Sequence, residues 1–138
     1  MPFSAIGRTA ILRVIIGGED VWPVKVNDPF YLSLHIADPG QTGNQSTNEA
    51  KYTGYQRIGV LRTPDSWDFR SGAARNVNQL SFPKAQSEEK ITHIGLGSSD
   101  DPESVLLGLQ KMKEPLLLSP GIIPTFFGGE LGIALIDV

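Results

Sequence analysis

The sequence predicts an all-β domain: a jelly roll or antiparallel β-sandwich of about eight short strands, with a short N-terminal helix. Three observations carry this. From Phe30 onward apolar and polar residues alternate with period two, the pattern of strands with one buried face. Turn-forming residues interrupt the alternation every roughly 8–15 residues, close to the spacing of sandwich strands. Helix-period segments do not alternate with the strands, as a parallel α/β sheet would need. Fifteen glycines and ten prolines among 138 residues supply the turns.

Residues 4–16 are the one stretch that reads as helix. Ser4 stands where an N-cap would, and Gly17-Gly18 closes the far end. The β-branched Ile6, Ile11, Val14, Ile15 and Ile16 pull the other way, so a strand stays open as the lesser alternative. Residues 1–28 are therefore expected to form an N-terminal helix or arm and a connector containing Trp22-Pro23, and residues 29–138 the sandwich domain.

In residues 30–37, Leu32, Leu34 and Ile36 are expected inward and Tyr31, Ser33 and His35 outward. Asp38-Pro39-Gly40 ends this strand, and polar residues 41–49 read as a long exposed loop. Ile58 and Val60 share the inner face of the next strand, which Thr63-Pro64-Asp65 stops. Trp67 and Phe69 alternate with Ser66, Asp68 and Arg70. In residues 77–82, Leu80 and Phe82 oppose Gln79 and Ser81. Residues 90–97 alternate again, with Ile94 and Leu96 inward and His93 outward.

After the loop Ser98-Ser99-Asp100-Asp101-Pro102, Val105, Leu107 and Leu109 form one apolar face, and Leu116 with Leu118 form another beyond Pro115. A helix over residues 103–112 is weakened by Gly108. Ser119-Pro120-Gly121 is a turn. Residues 122–127 make a short segment before Gly128-Gly129, and Leu131, Ile133 and Leu135 close the chain.

A single domain of this length can bury about two-thirds of its unfolded surface without help from a metal or disulfide. There is no cysteine. The net charge of −3 and pI near 5.3 argue against a nucleic-acid surface, which needs clustered Lys and Arg. No apolar run approaches the roughly 18 residues that span a bilayer, and the N-terminus does not read as a secretion signal. No cofactor, membrane, nucleic acid or small-molecule substrate is expected.

Catalytic and metal chemistry finds little support. The two histidines, His35 and His93, could join Asp38 or Asp100 around a metal, but their spacing matches no ligand motif. Ser33, His93 and Asp38 make a nucleophilic trio only on paper, since no Gly-x-Ser-x-Gly elbow is present. Asp100, Asp101 and Glu103 lack the ladder of a Ca²⁺ loop and read as a solvated turn. Gly17-Gly18 and Gly128-Gly129 are turns or caps, not phosphate cradles. A small carbohydrate-active enzyme would have to draw on Trp67, Tyr52 and Asp65. No catalytic or metal residue is assigned.

Tyr52 and Tyr55, flanking Thr53-Gly54 beside the long loop, offer rigid amphipathic area of the kind found at interfaces; covering the rim of the core explains them equally well. With His35 and His93 they are the candidate interface residues. Open strand edges add a way to pair with other chains. Together these describe a binding module.

Leu32-Ser33-Leu34-His35, Ala37-Asp38-Pro39-Gly40, Thr42-Gly43, Tyr52-Thr53-Gly54-Tyr55 with Arg57, Ser81-Phe82-Pro83 and Thr92-His93-Ile94-Gly95-Leu96-Gly97 follow one another in an order that resembles small tailed-bacteriophage proteins. The resemblance extends over residues 29–136. It is closest to capsid cement (decoration) proteins, such as those of Bordetella phages, and related small phage proteins often carry tail-fibre labels. It implies a jelly-roll homodimer, opened by a short helix, on the capsid exterior of a virion assembled in the host cytoplasm. There it would clamp neighbouring major capsid protein subunits. The alternative is a tail-fibre or receptor-binding module. The resemblance carries no catalytic residue, and it is weakest over the first 28 positions.

Overall fold

A computed structural model describes residues 1–15 and 28–134. Within them lie one helix, α1 (Ala5–Ile15), and nine strands: β1 (Phe30–His35), β2 (Ile58–Val60), β3 (Trp67–Arg70), β4 (Ala73–Asn76), β5 (Leu80–Ser81), β6 (Glu89–Gly97), β7 (Leu106–Leu118), β8 (Thr125–Phe126) and β9 (Gly132–Ala134). The fold is all-β, as the alternation predicts. One sheet has the order β2-β1-β6-β7, a second β3-β4-β9, and β5 pairs with β8 as a ribbon. Every one of these strand pairs is antiparallel.

The N-terminal segment forms the helix for the reason its sequence gives. Ser4 Oγ accepts the Gly7 N–H at 3.0 Å, the N-cap bond, and donates to the Leu106 carbonyl at 2.9 Å. That second bond ties the cap to β7. A side chain at Gly7 would run into the Leu107 carbonyl, so the glycine lets the helix lie close on the strand. Pro2 and Phe3 bridge to Ala134 and Gly108, and Met1 is buried in the core. Residues 1–15 are thus stitched to both sheets. Gly17-Gly18, the Trp22-Pro23 connector and Leu135 lie outside the described residues.

The core lies between the sheets. Leu32 and Leu34 of β1, Ile91, Ile94 and Leu96 of β6 and Leu118 of β7 meet Trp67 and Ile133 of the second sheet, with Phe82 and Tyr52 filling one side. Phe82 sits among rings, 6.4 Å from Tyr55 and 6.2 Å from Phe126 between centroids. The apolar faces expected on either side of Pro115 belong to one strand, β7. It tolerates Pro115 because it is the outermost strand of its sheet, where no further strand needs the missing N–H.

Four expectations are corrected. His35 and His93 do not face solvent: Leu32, Ser33, Leu34 and His35 are all buried, because both faces of β1 and β6 are covered. Phe69 does not follow Trp67 into the core. Trp67 is 4% exposed and Phe69 70%, because Phe69, near the hairpin tip at Ser71 and Gly72 (positive φ, 52° and 77°), lines an open cleft instead of the packed core. Residues 77–82 are not one strand. The buried Asn76 side chain ends β4 by donating to the Asn78 and Phe127 carbonyls and accepting the Leu131 N–H. The chain then crosses to the β5–β8 ribbon. Ile36, expected inward, is 39% exposed at the end of β1.

The two residues of the β3 pattern therefore separate in energy. Trp67→Ala is expected to cost about 3–5 kcal/mol in chemical denaturation, and Phe69→Ala about 0.5 kcal/mol or less. Equal losses would contradict the placement of the hairpin.

Candidate functional site

The second face of the β1–β6 pair is polar. Ser33 and His35 of β1 project from it over Gly95 and Gly97 of β6. A side chain at Gly95 would collide with His35 and Ser33, and one at Gly97 with Gln45. These glycines leave the space into which the loop of residues 41–49 is pressed. Gln45 is fully buried there. Its amide nitrogen donates to the Tyr31 carbonyl at 2.7 Å and to Ser33 Oγ at 3.1 Å. Its oxygen accepts from Ser104 Oγ at 2.7 Å. Ser33 Oγ lies 2.8 Å from His35 Nε2, and His35 Nδ1 lies 2.9 Å from the Thr47 carbonyl.

Beside this cluster stands a buried ion pair. Arg57 Nε and Nη2 donate to the two carboxylate oxygens of Glu49 at 2.7 and 2.9 Å, with side chains only 7% and 14% exposed. Arg57 also reaches the carbonyls of Ser99 and Asp101, which fastens the acidic turn to the loop. Tyr55 OH donates to Glu49 at 2.6 Å and accepts the Leu34 N–H. Burial, then the bonds to Glu49, drive the Tyr55 pKa far above the usual phenol value. For Arg57 burial works against the charge, and the bonds to Glu49 outweigh it. Tyr52, pushed up to about 12 first by burial and then by Glu89, donates its OH to the Pro83 carbonyl at 2.8 Å.

The four candidate interface residues are thus placed, and three of them, Tyr52, His35 and His93, are buried. Tyr55 is partly buried. The tyrosine rings meet edge to face, 5.3 Å apart, and form the rim of the core. His35 and His93 face each other across β1 and β6, and His93 Nδ1 is 2.8 Å from Thr92 Oγ1. Ser33 touches His35 and not His93, and the other nitrogen of His35 meets a carbonyl, not a carboxylate. With Ser33 completely enclosed, this pair lacks the access and orienting acid of a nucleophile. Among the described residues no group of three or more His, Asp or Glu is placed to hold a metal ion. Trp67 bonds the Leu61 carbonyl through its indole N–H, while Asp65 is exposed in the preceding turn; with Tyr52 they do not line one cleft.

An open concavity lies elsewhere. A cleft of about 710 Å³ opens between the sheets, walled by Phe3, Phe30, Trp67, Phe69, Leu96 and Ile133. Arg62 at its edge lies over the Phe30 ring, 5.6 Å from the centroid. The alternation pattern missed this cleft because it counts Phe69 as core. Leu117 (75% exposed) and Phe127 (58%) are further large apolar side chains at the surface.

Breaking the ion pair from one side leaves a buried charge. Arg57→Ala or Glu49→Ala is expected to cost about 3–5 kcal/mol, and the double variant less than the sum of the two. Additive losses would show that the pair is not coupled. At alkaline pH the sign follows from Tyr52. Its folded pKa is raised above the ordinary value of 10.0 to about 12, so its contribution is intact below pH 10 and is lost as pH climbs through 12. Thermal unfolding followed across that range should show a falling midpoint, and Tyr52→Phe should flatten the fall.

No curated protein matches the chain. A family model does, over residues 2–133, and its description is podophage GP4 fiber I protein gp80. The matched span runs from the N-terminal stitch through the loop, the polar cluster and both sheets. By that match the chain belongs to the podophage GP4 fiber I protein gp80 family and is a bacteriophage structural protein.

Proposed function

We propose that the protein is a fibre module of a podophage virion, acting in the tail-fibre or receptor-binding apparatus by contact with other subunits and without catalysis. The family match over residues 2–133 carries this reading. The surface supports it: large apolar side chains, Phe69, Leu117 and Phe127, stand outward on a sandwich frame, the kind of group that drives contact between subunits. On this reading its partners are virion proteins, further copies of itself included. Nucleic acid, membrane, cofactor and small-molecule substrate have no part.

The competing reading is a capsid cement protein, a homodimer clamping the major capsid protein on the head exterior. The residue-level resemblance over positions 29–136 favours it. The two readings differ in location. Gold-labelled antibody on purified virions is expected to mark the tail region. Gold over the head shell, with a fixed number of copies per major capsid subunit, would overturn the fibre reading. So would heads made without the protein that rupture on mild heating while their tails stay intact.

A further inference from the structure

The hydrogen bonds under the loop of residues 41–49 run in one direction, and valence sets that direction. The Thr47 carbonyl can only accept, so His35 Nδ1 carries the proton that bridges their 2.9 Å. In the neutral ring Nε2 is then an acceptor, filled by the Ser33 hydroxyl at 2.8 Å. Ser33 is free to donate there because its oxygen accepts from Gln45 at 3.1 Å. Gln45 in turn spends its other amide hydrogen on the Tyr31 carbonyl. Each link needs the one before it.

A second proton on His35 breaks this order at its centre. Nε2–H and the Ser33 O–H would both be donors across 2.8 Å, and the hydroxyl would have to turn away inside a closed space. The charged and titratable groups around the ring come from every side. His93 of β6 and Arg57 oppose a positive charge, while Glu49 of the loop favours it. Glu49 is already bonded to both Arg57 and Tyr55.

We propose that the loop is an acid-opened clamp: protonation of His35 lifts residues 40–47 off the second face of the β1–β6 pair and exposes Ser33, Gln45 and the glycine floor. The ends of the loop stay pinned. Ile36 N–H donates to the Asn48 carbonyl and Ala50 N–H to the Leu34 carbonyl, and Glu49 remains paired with Arg57. Residues 40–47 hold on chiefly through Gln45, Ser46 and Thr47, and Gln45 and Thr47 both belong to the polarised chain. Burial keeps His35 below the ordinary histidine value of 6.5, against the pull of Thr47 and Glu49. The closed loop therefore binds fewer protons than the open one. It is favoured above pH 6.5 and loses ground as pH falls below it, by at most about tenfold per pH unit for one histidine.

Amide hydrogen exchange on the full chain, corrected for intrinsic rates, tests this. The Gln45 N–H, bonded to the Ser104 carbonyl, reports the loop; the Asn76 N–H, bonded to the Leu131 carbonyl, reports the second sheet. Between pH 7.5 and pH 5, Gln45 should lose tenfold or more of its protection, and its exchange should depend little on added denaturant, the mark of a local opening. His35→Gln should abolish that acid response. Where His35→Gln does not fold, Ser33→Ala serves: without the donor at Nε2 the closed ring no longer prefers its neutral form so strongly, and the loss of Gln45 protection between pH 7.5 and pH 5 should shrink. In the unaltered chain two outcomes overturn the proposal. Either Gln45 exchange is indifferent to pH, or at pH 5 it follows denaturant as steeply as Asn76 does, which would mean unfolding of the whole domain. In Ser33→Ala, an acid loss of protection as large as in the unaltered chain would equally remove His35 from the mechanism.

Discussion

The structure depends on how β1 and β6 are covered on both sides. A strand presents alternate residues to opposite faces, so a sheet with an apolar core face has a second face carrying whatever falls between. Here those residues are Ser33, His35, His93, Gly95 and Gly97. They cannot supply an apolar layer, yet all five are buried. The chain resolves this with a polar lid that supplies Gln45 to Ser33 and the Thr47 carbonyl to His35, while His93 is met by Thr92. Among the described residues no buried side-chain nitrogen or oxygen lacks a partner. Leaving any one of them unpaired in that space would cost about 1–3 kcal/mol, so the matching of the set, more than any single bond, holds the lid in register.

The rest of the molecule follows from that lid. Arg57 must stand where it can neutralise Glu49, which fixes the path from Tyr52 to β2. The same guanidinium collects the carbonyls of the acidic turn at Ser99 and Asp101, so the loop between β6 and β7 is set by the loop between β1 and β2. Tyr55 couples this polar layer to the apolar one: its hydroxyl binds Glu49 and the Leu34 amide, and its ring stacks toward Phe82 in the core. Polar networks of this kind add little net stability compared with an apolar replacement, but they penalise every alternative arrangement in which one member is left unpaired.

Much of the fold is legible in local sequence. The N-cap at Ser4 and the inward Leu32, Leu34, Ile94 and Leu96 depend on neighbours a few residues away, and there the reading and the structure agree. The lid depends on partners far apart in sequence: Gln45 and Ser104 are separated by 59 residues, Arg57 and Asp101 by 44. Alternation identifies which residues share a face, but not whether that face is wet, so Ser33, His35 and His93 read as solvent-facing. One local signal was present. Gly95 and Gly97 two apart inside a strand mark a close approach of other atoms, and a polar loop rich in hydrogen-bonding side chains stands ready to make it. Phe69 misled for the opposite reason, because a strand keeps its alternation where the packing over its face gives way to an open cleft.

The enclosure of the polar cluster also limits where contact with other subunits can occur. Tyr52, His35 and His93 are committed to the interior and Tyr55 to its rim, so the groups left to face a neighbour are those outside the lid. Strand addition is disfavoured at β7, the long outer strand. Its start is bridged by Phe3, and along its exposed remainder stand Lys111, Lys113, Glu114 and Pro115, the charges and proline that discourage edge pairing. Among the described residues the most exposed large apolar side chains are Leu117, Phe127 and Leu61, with Phe69 on the cleft. Apolar side chains held on a preformed frame lose little conformational entropy when they pack against another surface. The frame keeps its shape because its most demanding groups are already satisfied by one another.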